Sequence, residues 1–265
     1  MKFSVITPNF NGERFLEETL RSVLSQRMEG VDLEYIVIDG GSTDGSLAII
    51  EKYRSEITHL VVERDSGPAN AINKGFALAT GDVVAWLNAD DLYQPGCLKR
   101  VEKCFADDGS MAFCFGGCPI IDAGGEEIRK GITSFKAAFF PFSSHFLHQS
   151  INYISQPALF FRRSAREKAG LLREDMVAAW DYEFTLRLWK EGEGRYIPGA
   201  PLAAFRWYEG SISGKNFSIQ FKEEFEAARN DAGLLSPATI LHYGVRWGIV
   251  SIYYGMLCMR KLRGL

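Results

Sequence analysis

An apolar run, Val83 to Leu87, is followed at once by Asn88-Ala-Asp-Asp91 and then by Pro95-Gly96. The run reads as a buried strand and the Pro-Gly pair as the opening of a helix. Carboxylates at the carboxyl end of a central strand face the crevice where open α/β sheets bind ligands. With the Asn88 amide oxygen beside them, Asp90 and Asp91 suit a hard cation such as Mg²⁺ or Mn²⁺. Such an ion keeps several waters and completes its shell from substrate phosphates. The chemistry to test is therefore a divalent cation holding a diphosphate. Two further acids recur in the same kind of place. Asp39 ends Glu34-Tyr-Ile-Val-Ile-Asp39, and Asp65 closes the turn after His59-Leu-Val-Val62. Each alone reads as a helix cap or turn residue; together with Asp90, on one sheet edge, they read as a site.

These acids need elements that bring them to that edge. Residues 2–7, 34–39, 59–62 and 83–87 read as strands. Between them, Phe15, Leu16, Leu20, Val23 and Leu24 share one helical face, Gly40 to Gly45 turns into a helix through Ile49, Ile50 and Tyr53, and Pro68 to Ala79 forms the next helix. Strands alternating with helices over short connections predict an α/β fold, a doubly wound, mostly parallel sheet with helices on both faces. Beyond residue 100, Met111 to Phe115 and Ser155 to Phe161 read as strands, and Asp122 to Glu126 as a hairpin turn. Residues 132–155 read as a mobile segment crossing the site. Trp180 to Trp189 reads as a helix with Asp181 at or near its N-cap. Arg195 to Pro198 and Leu202 to Arg206 are short strands, and the chain is helical from about Ser218.

A net charge of -3 gives no global case for nucleic-acid binding. The five cysteines are scattered, and no His cluster completes a zinc site around Cys114 and Cys118. They read as free thiols in a reducing compartment; His145 and His148 read as ordinary loop residues. Met1-Lys2 leads into Phe3-Ser-Val-Ile6, too short an apolar run for a signal peptide, and no apolar run is long enough to span a bilayer. Residues 238–265 are rich in aromatic and aliphatic side chains and end in Arg260-Lys-Leu-Arg263. That composition suits a helix lying in a membrane interface; packing on the domain or in a dimer contact is the alternative. The expected location is cytoplasmic, at the cytoplasmic face of a membrane.

Several stretches now line up in order. They are Val5-Ile-Thr-Pro-Asn-Phe-Asn11, Tyr35-Ile-Val-Ile-Asp-Gly-Gly-Ser-Thr-Asp44, Asp65-Ser-Gly67, Asn73-Lys-Gly75, Gly81-Asp82, Leu87-Asn-Ala-Asp-Asp91 and Trp180-Asp-Tyr-Glu183. Their order and spacing resemble the inverting glycosyltransferases of family 2, which have the GT-A fold, over about residues 2–210. The resemblance implies a glycosyltransferase domain over 1–215, with a nucleotide-sugar half to about residue 100 and an acceptor half after it. Residues 216–265 form a C-terminal helical extension.

The resemblance also implies roles. Thr7, Pro8 and Asn9 line the pocket of a nucleotide-sugar, typically a UDP-sugar. Asp39 contacts the base, where a carboxylate can accept the N3–H of uracil, and Asp65 adds to the same pocket. Asp90 matches the metal-binding aspartate, with Asp91 in support and Mn²⁺ or Mg²⁺ as the cofactor. Asp181 matches the base that deprotonates the acceptor hydroxyl for in-line displacement at the anomeric carbon. The metal stabilises the leaving diphosphate, and configuration inverts. Gln156 and Trp180 read as contacts to a saccharide or lipid-linked acceptor, and equally as core residues. The implied product is a cell-surface polysaccharide.

The chain departs from the family pattern at two positions. Asn88 replaces the first aspartate of the D-x-D motif and is assigned to a ribose hydroxyl. Ile72 stands where an arginine is common, so the diphosphate's cation is sought in Arg206, or in Arg162 or Arg163. Two rival readings remain. A nucleotidyltransferase needs a glycine-rich basic loop after its first strand, and Pro8 to Glu13 has no basic cluster. A non-catalytic nucleotide-sugar-binding protein draws support from Asn88 and is opposed by Asp90 and Asp181.

Overall fold

The computed structural model describes residues 1–248. Its first part runs β1 (Lys2–Asn9), α1 (Leu16–Leu24), β2 (Asp32–Asp39), α2 (Ser46–Lys52), β3 (His59–Val62), α3 (Pro68–Leu78), β4 (Val83–Trp86), β5 (Leu92–Tyr93) and α4 (Cys97–Asp107). The second part continues with β6 (Phe113–Gly116), β7 (Ile120–Ile121), β8 (Glu127–Ile128), α5 (Lys130–Ala137), α6 (His145–Ser150), β9 (Leu159–Arg162) and α7 (Arg163–Ala169). It ends with α8 (Trp180–Glu191), β10 (Gly194–Ile197), β11 (Ala203–Arg206), α9 (Ile212–Lys215) and α10 (Phe217–Ala232). Residues 237–248 are helical again.

Seven strands form one sheet in the order β10-β6-β9-β4-β1-β2-β3. Its pairs are parallel except those made by β9, which runs antiparallel to both β4 and β6. The alternation of side chains explains why helices cover both faces. Val5, Val37 and Ala85 enter one apolar cluster; Ile6, Ile36 and Val84, one residue on, enter the other. Close packing fixes α3 on this sheet. A Cβ at Gly75 would lie 2.5 Å from Ile6 Cγ2, so only glycine lets the helix approach.

A second, four-stranded sheet, β5-β11-β7-β8, was not anticipated. Its strands β5, β7 and β8 are two residues long, below what periodicity can register. The β7–β8 hairpin matches the turn expected at Asp122 to Glu126. The stretch expected to be irregular, 132–155, instead contains most of α5 and all of α6. It does cross the site, because Lys136, Asn152, Ile154 and Ser155 line the main cavity. His148 is fully buried on α6 between Tyr153 and Tyr182, not a loop residue.

The helical extension is tied down by polar contacts. Asp231 of α10 accepts hydrogen bonds from His145 Nε2 at 2.7 Å and Gln149 Nε2 at 2.8 Å, and pairs with Lys190 of α8. These bonds hold its carboxyl down at about 2 against the opposing effect of burial. Tyr182, Leu186, Ala227 and Ala228 supply the apolar part of the same junction. Among the described residues no helix is long and apolar enough to cross a membrane. Residues 249–265, which carry the basic end, lie outside the described residues.

Asp231→Ala is expected to destabilise the protein by about 2–3 kcal/mol, since it removes one carboxylate from three donors in a mostly buried site. The Asp231 contribution is fully present above the unfolded carboxyl's pKa of about 3.9 and is lost as the pH falls towards 2. Urea unfolding of the wild type and variant at neutral pH and near pH 3 measures both: the difference between them should shrink in acid.

Candidate active site

The carboxyl ends of β1 and β4 and the turn after β3 open onto a cavity of about 700 Å³, within the usual range for small-molecule sites. Two turns shape its first wall. Asn11 adopts a left-handed backbone, φ 52°, which Asn tolerates because its short amide bonds locally. Its Oδ1 accepts the Thr43 N–H at 2.8 Å. At the next position a Cβ on Gly12 would lie 2.4 Å from Asn9 Oδ1. Pro8 and Asn9 line the cavity as expected. Thr7 does not: it is buried behind them, with Oγ1 2.9 Å from the Tyr35 hydroxyl. Asn9 Oδ1 is a buried acceptor without a partner, a state that costs roughly 1–3 kcal/mol until a donor arrives.

Asp39 is also placed behind the cavity wall. Its Oδ1 accepts the Gly41 and Ser42 N–H groups at 3.0 and 2.8 Å. Its Oδ2 accepts from Asn9 Nδ2 at 2.7 Å and Ser42 Oγ at 2.8 Å. With two hydrogen bonds on each oxygen and no exposure, it positions Asn9 and the turn instead of reaching a base. Asp65 does line the cavity, its Oδ1 accepting the Gly67 N–H at 3.0 Å.

The Asn88–Asp91 turn separates its two carboxylates. Asp90 lines the cavity; burial pushes its carboxyl up, and the Tyr208 hydroxyl acts against that. The Tyr208 ring packs 5.2 Å from that of Phe15, and its phenol is pushed up to about 12, chiefly by burial and then by Asp90. Asp91 is fully buried and outside the cavity. Its Oδ1 accepts the Arg206 N–H at 2.9 Å and its Oδ2 an Asn88 N–H at 3.2 Å. Burial first, and the Asp90 charge second, push its carboxyl well above the usual range. Asp91 therefore anchors the turn and does not face a cation. Asn88 lines the cavity as a brace, also donating to Gln156 Oε1 at 3.4 Å.

The cations sought for a diphosphate are all engaged elsewhere. Arg206 is 1% exposed and does not line the cavity. It binds the carbonyls of Asp90, Asp122 and Ala123 and the Glu18 carboxylate. Arg162 donates to the carbonyls of Met111, Phe105 and Asp108, and Arg163 to Gly81. Ile72 is core. The basic residues that line the cavity are Arg14 and Lys136. Neither was singled out from the sequence: Arg14 follows the first turn by two residues, and Lys136 belongs to no motif.

The far wall comes from the second part of the chain. Asp181 lies in the first turn of α8 and lines the cavity with Trp180. Its carboxylate accepts the N–H of Tyr182 at 2.8 Å. Burial outweighs that bond and the helix dipole, and its carboxyl is pushed up to about 6. Glu224 on α10 pushes in the same direction, and Lys136 opposes both. Gln156 lines the cavity while its Nε2 donates to the Trp86 carbonyl at 2.7 Å, so it braces β4 as well.

A cation fits this donor set in one way only. Among the described residues no group of three or more His, Cys, Asp or Glu side chains is placed to hold a metal. Asp90 alone, with phosphate oxygens and waters, matches the open coordination that Mg²⁺ accepts.

Comparison with known proteins identifies the family and the fold. The family model described as glycosyl transferase family 2 matches residues 4–170. A putative teichuronic acid biosynthesis glycosyltransferase of Bacillus subtilis, TuaG, is 36% identical over 132 residues, 49% of this chain and 51% of that protein. An uncharacterised glycosyltransferase of Mycobacterium tuberculosis is 31% identical over 185 residues, 69% of this chain and 67% of the relative. The Staphylococcus aureus poly(ribitol-phosphate) β-N-acetylglucosaminyltransferase TarS is 35% identical over 102 residues, but the match spans only 18% of its length. The crystal structure of TarS with UDP-GlcNAc superposes with a TM-score of 0.70 at 21% identity, over 89% of this chain and 68% of that one. A mannosyltransferase from Pyrobaculum calidifontis, solved with GDP-Man and Mn²⁺, gives 0.65 at 19% identity, over 95% and 75%. The last two likenesses establish the GT-A fold, and the family match over most of the chain establishes that it belongs to glycosyl transferase family 2.

Proposed function

We propose that the protein is an inverting glycosyltransferase. It moves a sugar from a nucleoside-diphosphate donor, UDP-linked by preference, to a saccharide or lipid-linked acceptor of a cell-surface polysaccharide. The observation that carries this reading is one cavity that presents Asp90 from the β4 turn and Asp181 from α8, in a chain of this family. The relatives named for teichuronic acid and poly(ribitol-phosphate) support the polysaccharide assignment.

In this reading the nucleoside lies against Pro8, Asn9 and Asp65. Asp90, with the diphosphate, would hold Mg²⁺ or Mn²⁺, and that cation would supply Lewis-acid stabilisation of the leaving group. Asp181 takes the proton of the acceptor hydroxyl as its oxygen attacks the anomeric carbon and the bond to the diphosphate breaks. A carboxyl at about 6 is a stronger base than an ordinary one and is still largely ionised near neutrality. The non-catalytic reading rested on Asn88, whose amide is now accounted for as a brace between Asp91 and Gln156.

Asp181→Asn should lower kcat by roughly 10²–10⁴-fold, the usual worth of general base catalysis, and leave UDP binding unchanged. In the wild type, kcat/KM should fall below a pKa of about 6, because protonation removes the base. A flat profile from pH 5 to 8 would sink the assignment. Thermal shift with UDP, with and without Mn²⁺, tests the donor half. Stabilisation should depend on the metal, and Asp90→Ala should remove that dependence.

We also infer that the outward side of residues 238–248, with the basic end that follows, attaches the protein to a membrane surface, while Ala238, Thr239 and His242 pack on the domain. Leu241, Tyr243 and Trp247 are half exposed, and the sequence ends with Arg260, Lys261 and Arg263. The full chain should float with vesicles rich in anionic lipid and not with neutral ones; flotation with neither would refute the attachment.

A further inference from the structure

Helix α5 has no fully buried residue, and Lys136 is its one member among the lining residues of the cavity. The other lining residues around it are Asn152 and Ser155, ahead of β9, Asp181 on α8, and Gln220 on α10. Its Nζ donates to Ser155 Oγ at 3.3 Å, which uses one of three donors on an ammonium. Glu224, the nearest charge of opposite sign by effect, is served by other groups. Asn152 Nδ2 and Gln220 Nε2 both donate to its Oε1 at 3.0 Å. Among the described residues no carboxylate lies within ion-pair distance of Lys136; Glu224 and Asp181 reach it through longer-range attraction. Burial pushes its ammonium down and outweighs those attractions, so the charge is held at a cost that an anion in the cavity would relieve.

Two anions could do this: the donor's diphosphate, or a charged group on the acceptor. The lining of the cavity separates them. Pro8, Asn9, Asp65 and Asp90, on the donor side, come from the edge of the large sheet. Lys136 donates to Ser155, and Ser155, Asp181 and Gln220 come from the second part of the chain, on the acceptor side. A neutral hydroxyl at Lys136 would complete hydrogen bonds but leave the charge unbalanced.

We propose that Lys136 is the recognition point for an anionic group, a carboxylate or a phosphate, carried by the acceptor next to the hydroxyl that Asp181 deprotonates. The inference rests on the glycosyl-transfer reading of the cavity. It makes the enzyme selective for charged over neutral saccharide acceptors, with Lys136 as a specificity residue and not a catalytic one.

Isothermal titration of the full chain tests it, with glucose, glucuronate and glucose 6-phosphate as probes, each with and without saturating UDP and Mn²⁺. At least one anionic sugar should bind the wild type roughly tenfold or more tighter than glucose, as one hydrogen bond to a charged group allows. Lys136→Gln should abolish that preference, Lys136→Arg should keep it, and UDP should bind all three proteins alike. Preference for glucuronate alone would identify a carboxylate, and for the phosphate alone a phosphoryl group. The proposal is overturned if neither anion outbinds glucose or if the preference survives Lys136→Gln. It is equally overturned if Lys136→Gln weakens UDP, which would assign the lysine to the donor. Absence of UDP binding in the wild type would instead count against glycosyl transfer itself. The anion comparison without UDP still decides the role of Lys136.

Discussion

A guanidinium that is 1% exposed must have its donors paired, and the chain around Arg206 is arranged to pair them. The side chain runs from β11 back to the turn after β4, donating to the Asp90 carbonyl at 2.9 Å and to Glu18 on α1 at 2.7 Å. Its backbone N–H holds Asp91 Oδ1. The Phe15 ring lies 4.4 Å beneath the charge, adding a cation–π contact. The turn bearing Asp90 is thus gripped from the second sheet, from α1 and from its own neighbour Asp91. That grip explains how adjacent acids come to do different work. Asp91 is consumed by the clamp, and Asp90 is left as the carboxylate on the cavity side.

The same division recurs along the sheet edge. Asp39 has its four acceptor positions filled and holds Asn9, whose own Oδ1 is buried against Gly12. Asn73 shows the pattern away from the cavity. Its Nδ2 donates to the Leu172 carbonyl and its Oδ1 accepts the Leu172 N–H, stapling α3 to the loop that leads to α8. Polar residues of the family motifs therefore fall into two sets. One set fixes loop geometry by saturating its own hydrogen bonds, and the other keeps capacity for a ligand.

Sequence patterns made the first set's location legible but not its role. Apolar runs closed by a Pro-Asn turn or by acids placed β1 to β4 and their carboxyl ends, because periodicity and turn chemistry are local. Whether a carboxylate at such an end faces the cavity depends on hydrogen bonds made by residues distant in the chain. Asp91 meets Arg206 across 115 positions, and no local rule anticipates that. Arg206 was read as a phosphate partner for the same reason: a lone arginine after a strand carries no sign of its burial. Lys136 was invisible because α5 is short and mostly exposed, so its inward-facing residue breaks no pattern. Asp181 was legible because Trp180-Asp-Tyr-Glu183 fixes both a helix start and an acid in its first turn.

The helical extension belongs to the reacting half of the cavity and is not an appendage to it. Helix α10 brings Glu224 and Gln220 to the cavity side and is locked to α8 through Asp231 and Lys190. Glu224 raises the basicity of Asp181 while Lys136 lowers it. The proton affinity of Asp181 thus depends on two side chains from elements that the sheet does not fix. A shift of either α5 or α10 would change both the shape of the acceptor wall and the proton affinity of Asp181. On the donor side, rigidity comes from saturated hydrogen bonds within the sheet edge. At the far wall of the cavity, Asp181, Glu224 and Lys136 act on one another's charge, so a movement of one changes the others.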